Sequence, residues 1–533
     1  MALRKLLFKS GVNRENTRYT NEGGWYVSDK VRFRQGTPEK IGGWIRYSAN
    51  QFNGVCRNLW NWVTNTGLNL LGVGTNTKYY IENIGIYNDV TPTGLAAGSA
   101  ISYAATGWGT STWNTGTWGF SSGSSTINLR VWSSSNWGED LVINPRGEAI
   151  YYWDATSGLS SPAVNITSLA GSSNAPSLAN YIFVSDISRF LFAFGCDDSA
   201  GGIGYLDPML VRWADQESLT IWLPAITNQS GSLRLSHGSE IVTSVQTRQE
   251  IFTLTDSAAY SIQFVGAPYV WGAQLLGDNI SIMSPNAAVF ASGAVYWMGV
   301  DKFYVYDGRV QTLPCDLRRY VFSDINLIQS LQVFAGTSEG FNEVWWFYCS
   351  ADSTTVDRYV VYNYLERVWY YGTMARTAWS DSGLRDYPQS ADYNGRILNQ
   401  EYGVDDVSTG TAVAIDAYIE SAEFDLDDGD RFMYVYRTVP DLTFSGSSNG
   451  TAPEVTFSIY PKRSSGSPAG TPAADTVSAA DYPVDEFTSQ IYTRFRARQA
   501  YLKVRSNKVG TTWQLGAPRI DMKPDGRATG GGA

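Results

Sequence analysis

Apolar and polar positions alternate along this chain in short bursts, each about five to seven residues long and closed by Gly, Asp, Asn or Pro, the signature of strands joined by tight turns. The pattern is clearest from Ala294 to Pro314. There AVYWM is followed by a turn through Gly299, Val300, Asp301 and Lys302, then FYVY, then a turn at Asp307 and Gly308, then VQTL. Two consecutive hairpins are predicted, since Asp-Gly supplies the positive φ that such turns demand. Looser copies of the unit run from Leu70 to Val90, around Ile143 to Trp153, from Phe190 to Pro224, from Ile251 to Val265 and from Glu343 to Tyr371. Their starts fall roughly 40 to 70 residues apart, and four-stranded units at ~40 to 50 residues mark a β-propeller, the wider spacings implying insertions. Six or seven blades are expected over residues 61–410. Helices do not fit: EVWWFY and RYVVYNY are β-branched and aromatic, stop at turn formers, and carry no i, i+4, i+7 stripe.

Breaks in this texture divide the chain. Residues 1–60 are expected as an extended or β segment that joins the propeller or a platform. Residues 93–137 form a Gly, Ser, Thr and Trp rich insertion with Trp108, Trp113 and Trp118 spaced five apart in GWGTSTWNTGTWG. Two readings of it are open: a surface hairpin whose rings lie back on their own domain, or an arm whose Trp anchors rest on a neighbouring subunit. Over residues 411–525 longer alternating strands, among them FMYVYRTV, VTFSIYPK and YLKVRS, predict a separate β-sandwich-like domain. Residues 526–533 read as a flexible tail. The expected class is therefore all-β, a β-propeller plus a C-terminal β-sandwich-like domain.

Composition sharpens this picture where it concerns partners. Charged residues are only 17% of the 533, against a usual ~25%, while aromatics reach 14%. Such flat amphipathic side chains favour strands and interfaces. The net charge of −10 argues against a protein that grips a duplex, because neutralising phosphates takes a surplus of Lys and Arg. Four cysteines, Cys56, Cys196, Cys315 and Cys349, lack CxxC spacing and are expected as buried free thiols. No apolar run approaches the ~18 residues that span a bilayer, and Met1 to Phe8 offers no secretion signal.

Catalytic chemistry finds little footing. The lone histidine, His237 in LSHGSE, lacks a GxSxG elbow and reads as a loop residue. One His and four scattered Cys provide no zinc spacing, no GxxxxGK[ST] occurs, and no metal or cofactor is expected. Carboxylates are plentiful, including Asp197, Asp198, Asp215 and Glu217, but most sit where turn chemistry already accounts for them. DDGD at Asp427 to Asp430 fits a solvated loop or a weak calcium site, without the spaced ligands of a calcium loop.

Charge patterning in the last domain is the most informative local chemistry. Alternate residues of a strand share a face, so Glu423, Asp425 and Asp427 are expected as an acidic row while Phe424 and Leu426 face the core. Arg494, Arg496 and Arg498 alternate likewise, opposite Phe495 and Ala497, with Lys503 and Arg505 extending the positive surface. The rows are either solvent faces that pair within one sandwich, or the two halves of a head-to-tail contact that joins identical subunits in a ring.

Three stretches carry a resemblance: GVNRENTRYTNEGGWYVSDKVRFRQGTPEKIGGW (Gly11 to Trp44), PMLVRWADQESLTIWLP (Pro208 to Pro224) and TWQLGAPRIDMKPDGR (Thr512 to Arg527). Each is similar to a part of the tail nozzle proteins of short-tailed bacteriophages, with Ala214 standing where that family has Ser. The resemblance implies a structural, non-enzymatic subunit of a virion tail, assembled in the host cytoplasm. It further implies a homo-oligomeric ring of six below the portal and adaptor (connector), docking of tail fibre or needle proteins, and a lumen that conducts double-stranded DNA without binding it. An acidic protein suits such a lumen. Competing expectations are a phage propeller that recognises surface glycans or a receptor through exposed Trp and Tyr, and a polysaccharide-cleaving propeller enzyme, for which a carboxylate pair ~5 to 9 Å apart would be needed.

Overall fold

The computed structural model describes residues 2–104, 126–172, 174–186, 188–198, 201–426, 429–448, 452–464 and 480–527. Among the described residues seven sheets, antiparallel except for one short edge strand, are arranged around one axis. Their innermost strands are Cys56–Val63, Trp132–Trp137, Ala179–Val184, Ile241–Gln246, Ala288–Ala291, Phe334–Ser338 and Ala378–Ser380, blades 1 to 7 in chain order. Each innermost strand packs beside that of the next blade, and the circle shuts where Ala378–Ser380 meets Cys56–Val63. The repeats read from the sequence fall in blades 1 to 6.

Blade 5 illustrates how sequence makes a blade. Its strands Ala288–Ala291, Ala294–Met298, Phe303–Tyr306 and Val310–Leu313 pair in simple succession. The first turn, Ser292 and Gly293, has φ of 48° and 86°, both in the left-handed region that a two-residue hairpin matching strand twist requires. Gly308, with φ 105°, supplies the positive φ expected of the Asp307-Gly308 turn. Aromatic rings then bridge blades: Phe303 lies 4.9 Å from Trp346 and 4.8 Å from Trp369 of blade 6, and such pairs add about 0.5–1.5 kcal/mol each beyond area burial.

Blade 7 was not visible as a repeat because it is discontinuous. Its first three strands, Ala378–Ser380, Gln389–Ala391 and Ile397–Gln400, are followed not by a fourth from the same stretch but by Trp44–Arg46. Arg46, Ile45 and Trp44 pair antiparallel with Leu398, Asn399 and Gln400, and Asp406–Val407 adds a short parallel edge outside them. The propeller is thus latched by a strand from far upstream, which removes a free edge at the closure.

Three further sheets make the last domain, and all of them contain upstream strands. Ala2–Lys5 pairs with Arg519–Arg527, Trp25–Asp29 with Ala417–Ser421, and Thr37–Lys40 with Gln514–Leu515. Two sheets face each other across Met433, Val435, Phe457, Ile459, Leu502 and Val504, which are buried. The boundaries drawn from the sequence are corrected accordingly. Residues 1–60 are not one segment: Ala2–Lys5 through Thr37–Lys40 belong to the sandwich, Trp44–Arg46 to blade 7, and blade 1 already opens at Cys56. Extended runs at 25–40 show alternation but no hint of so distant a partner. One apolar core runs without interruption from blades 4 to 6 into the sandwich, so the two parts form a continuous block.

Candidate functional site

Side chains from every blade converge on the axis. Trp60, Ser134, Tyr181, Val245, Ala288, Ala335 and Trp379, one from each blade in order, line a cavity of about 180 Å³. Polar bonds tie its wall between and within blades: Ser134 Oγ donates to Asn58 Oδ1 at 2.7 Å, Tyr181 OH to Ser244 O at 3.1 Å, and Trp379 Nε1 to Thr337 O at 2.8 Å. That space has room for only a few water-sized molecules. A nucleic-acid duplex cannot thread it, so any conduit for DNA has to lie outside the propeller axis.

The joint between propeller and sandwich holds one cluster of buried charge. Arg32, on Val31–Arg34, is 2% exposed. Its Nε lies 2.9 Å from Glu343 Oε1 of blade 6, its Nη1 donates to Glu401 Oε2 at 2.9 Å, and the ring of Phe341 stacks 3.6 Å from the guanidinium carbon. Glu343 also accepts from Tyr370 OH and Trp345 Nε1, which satisfies its remaining lone pairs. Burial pushes the Glu343 carboxyl up and would pull the Arg32 guanidinium down, but Glu343 and Glu401 hold that guanidinium well above its ordinary range. Gly42 is required beside them: a Cβ there would lie 2.3 Å from Glu401 Oε2.

Lys40 forms a second buried link. Its Nζ donates to Val404 O at 2.8 Å and Thr511 O at 2.6 Å, joining the end of blade 7 to the sandwich. Burial lowers its pKa to about 8, partly offset by Asp405. Because the folded value lies below the ordinary 10.5, the unfolded chain binds the extra proton between these limits and stability rises with pH through that window. Ionisation of unfolded Cys and Tyr opposes this at its upper end, so the lysine is isolated by difference. The gain in urea midpoint from about pH 7.5 to 9 should be smaller in Lys40→Met than in the unaltered chain.

Of the three stretches that carry the sequence resemblance, the first serves this joint and the other two lock a blade and the sandwich internally. Gly11 to Trp44 supplies Arg32, Lys40 and the latch. In Pro208 to Pro224, Arg212 is 2% exposed and donates to Asp197 O at 2.9 Å, Asn174 O at 2.9 Å and Trp222 O at 3.3 Å, locking blade 3. In Thr512 to Arg527, buried Trp513 donates its Nε1 to Ser506 Oγ at 2.9 Å.

Residues singled out from the sequence are distributed as follows. Trp108, Trp113, Trp118 and Asp427 lie outside the described residues. Phe424 and Leu426 face the core as alternation predicts, but Glu423 does so too, 1% exposed and ion-paired with Lys462. The acidic row is therefore corrected: the strand spans only Phe424–Asp425, the period of two fails before it, and Asp425 accepts from Tyr19 OH at 2.7 Å. Arg494 and Arg496 are exposed opposite buried Phe495 and Ala497. Each finds partners inside the sandwich: Arg494 lies 5.2 Å from the Tyr436 ring, Arg496 Nε donates to Asp525 Oδ2 at 2.8 Å, and Arg498 Nε donates to Gly429 O. Lys503 and Arg505 pair with Glu420 and Asp416 at 3.1 and 2.7 Å. The rows do not stand as two bare complementary faces.

Exposed His237 Nδ1 lies 3.0 Å from its neighbour Ser236 Oγ, while Ser239 turns to Asp256. Asp197 accepts from Ser177 Oγ and Leu178 N, both at 2.8 Å, Asp198 lies 3.4 Å from Arg212, Asp215 accepts from Gln229 N at 2.7 Å, and Glu217 is 3.6 Å from Arg189. All four cysteines are free, three of them buried, with the Cys56 and Cys349 thiols pushed up to about 12 by burial. Among the described residues no group of three or more His, Cys, Asp and Glu could hold a metal ion, and no helix is long and apolar enough to cross a membrane.

No protein-family model and no curated protein matches this chain. Among solved structures, the N-terminal domain of Nup159 is similar at 10% identity over 70% of this chain and 99% of that domain, with a TM-score of 0.37. Hsv2 of Kluyvelomyces marxianus is similar at 6% identity over 52% of this chain and 73% of its own, TM-score 0.29. PorZ, a type-IX secretion system component of Porphyromonas gingivalis, is similar at 8% identity over 87% of this chain and 54% of its own, TM-score 0.35. The architecture rests on the strand pairing itself, and by that pairing the chain is a seven-bladed β-propeller protein with a sandwich domain sealed onto it.

Proposed function

We propose that this chain is a structural subunit of a phage tail nozzle, a ring of six copies below the portal and adaptor that retains and then releases the genome and docks fibre or needle proteins. One observation carries the reading: the amino-terminal segment that resembles the nozzle family, Gly11 to Trp44, is the one that welds propeller to sandwich, through Arg32 and Lys40. A welded block with a closed wall suits a part that bears load and keeps its shape while DNA under pressure passes. The acidic balance of −10 supports it, since a conduit for a polyanion works by repelling phosphate. Because the propeller axis is too narrow, the conduit is the space enclosed by neighbouring copies.

Negative-stain imaging and native mass spectrometry of the purified chain test this, with and without the adaptor protein. Closed rings of six with a central hole are expected, and they should show no retention of duplex DNA by gel shift even at low salt. Monomers under all these conditions, or tight duplex binding, would refute it.

A further inference from the structure

The strands of each blade alternate in direction and the blades repeat around one axis, so the turn between third and fourth strands falls at the same end in blades 1 to 6. In blades 1 to 4 this turn and the residues flanking it present apolar side chains to solvent. Ile84 is 80% exposed, Tyr269 79% and Ile226 wholly, and Val164, Leu223 and Phe264 are exposed as well. Charge sets this arc apart from the rest of the rim. No charged residue occurs in 83–88, 155–163, 218–230 or 267–269, which make up most of these turns, whereas the same turns of blades 5 and 6 hold Asp307 with Arg309 and Glu366 with Arg367. The carboxylates at the base of the arc are engaged: Asp154 accepts from Thr156 N at 2.8 Å, Asp215 from Gln229 N at 2.7 Å, and Glu217 lies 3.6 Å from Arg189.

The blade 3 turn is braced with these side chains outward. Trp222 is buried and donates Nε1 to Leu219 O at 2.8 Å, while Asn228 Oδ1 accepts from Ala225 N at 3.0 Å and Nδ2 donates to Leu223 O at 2.9 Å. The blade 1 turn is strained. Ile84 has φ 49°, a left-handed conformation that Gly adopts freely and a β-branched residue only at a cost, and so exposed a side chain gains little from packing within the chain to offset it. Exposed apolar surface of this kind marks a contact with protein or membrane. Separated tips with Ser, Thr and Asn between them would leave gaps against a rigid protein partner, whose interface core packs as densely as an interior. A bilayer closes around each tip and needs no matching shape.

We propose that this end of the propeller, through the outer turns of blades 1 to 4, rests on a lipid bilayer with zwitterionic headgroups. Phe264 and Tyr269 suit the boundary between headgroups and acyl chains, where aromatic rings concentrate. Charge selects the headgroup: turns without Lys or Arg, on a chain of net charge −10, gain nothing from an anionic lipid. The contact is peripheral, and it depends neither on ring formation nor on the nozzle reading.

Flotation of the intact chain with phosphatidylcholine vesicles tests it, beside vesicles in which phosphatidylglycerol replaces part of the phosphatidylcholine. The chain is expected to float with the first and no better with the second. Ile226→Asp/Tyr269→Asp, which alters only exposed side chains, should weaken the partition by about tenfold or more. Val300→Asp, an exposed position on the turn between second and third strands of blade 5 and so at the opposite end, should leave it unchanged. Absence of flotation with phosphatidylcholine, stronger flotation with the anionic vesicles, undiminished flotation in the double variant or equal loss in Val300→Asp would overturn the proposal. So would association between copies, seen by sedimentation without vesicles and lost in the double variant, in place of flotation. Imaging of the same samples reports ring formation separately, so loss of one result leaves the other standing.

Discussion

Arg32→Met is expected to lower stability by about 3–5 kcal/mol, the usual cost of breaking a buried ion pair from one side. The substitution keeps much of the side-chain volume but strands Glu343, which is 0% exposed, and Glu401 with no cation between them. Tyr370 and Trp345 would still donate to Glu343, so that carboxylate would stay in place and take up a proton instead of moving away. With the folded Glu343 value raised above the unfolded one by burial, stability is held at low pH and lost as pH rises through the raised value. The deficit in urea midpoint should therefore be larger at about pH 7.5 than at about pH 5. Arg32→Lys should fall between, since one ammonium cannot reach both partners in the guanidinium fork geometry. A variant that unfolds at the same urea concentration as the unaltered chain at both pH values would show that the triad bears no load.

The latch strand gives the other large effect. Ile45 has a paired strand on each side, Ile397–Gln400 and Asp406–Val407, so its backbone sits in the middle of blade 7. Ile45→Pro removes one ladder hydrogen bond and fixes φ where a strand needs freedom, at a cost of about 3 kcal/mol or more. The loss is not confined to one residue. Without the latch, the outer edge of blade 7 is bare and the seam with blade 1 can open. Hydrogen exchange at Ile397–Gln400 should accelerate markedly, and limited proteolysis should cut first between residues 380 and 410. Exchange unchanged in that segment would mean that the circle closes by packing of the innermost strands alone.

Much of this architecture was legible in the residues, for identifiable reasons. Three strands of blade 5 read directly because each is followed at once by its partner and the turns between them, Gly299 to Lys302 and Asp307-Gly308, carry their own chemistry. Blade 7 did not, because its fourth strand precedes its first by more than 300 residues, and periodicity reports only neighbours in sequence. Glu423 was misplaced for a related reason. Alternation assigned it to solvent, but its partner Lys462 arrives from a strand read separately, and a paired charge is tolerated inside. The apolar turns of blades 1 to 4 were not legible as one surface. Ile84, Val164, Ile226 and Tyr269 belong to four separate stretches that only the repetition of blades around one axis brings to the same end.

The pairing of Ala2–Lys5 with Arg519–Arg527 has a consequence for timing. During synthesis at ~5 to 20 residues per second, the first strands wait on the order of half a minute or more before the residues that cover them leave the ribosome. The Trp44–Arg46 strand waits about two-thirds as long for Ile397–Gln400. A product cut short before Ile397–Gln400 lacks the partner of the latch, and one cut short before Arg519–Arg527 lacks the partner of the first strand of the sandwich. A chain released early therefore leaves one or both parts of the fold unfinished, with apolar strand faces uncovered, and completion of translation marks which copies can reach the sealed form.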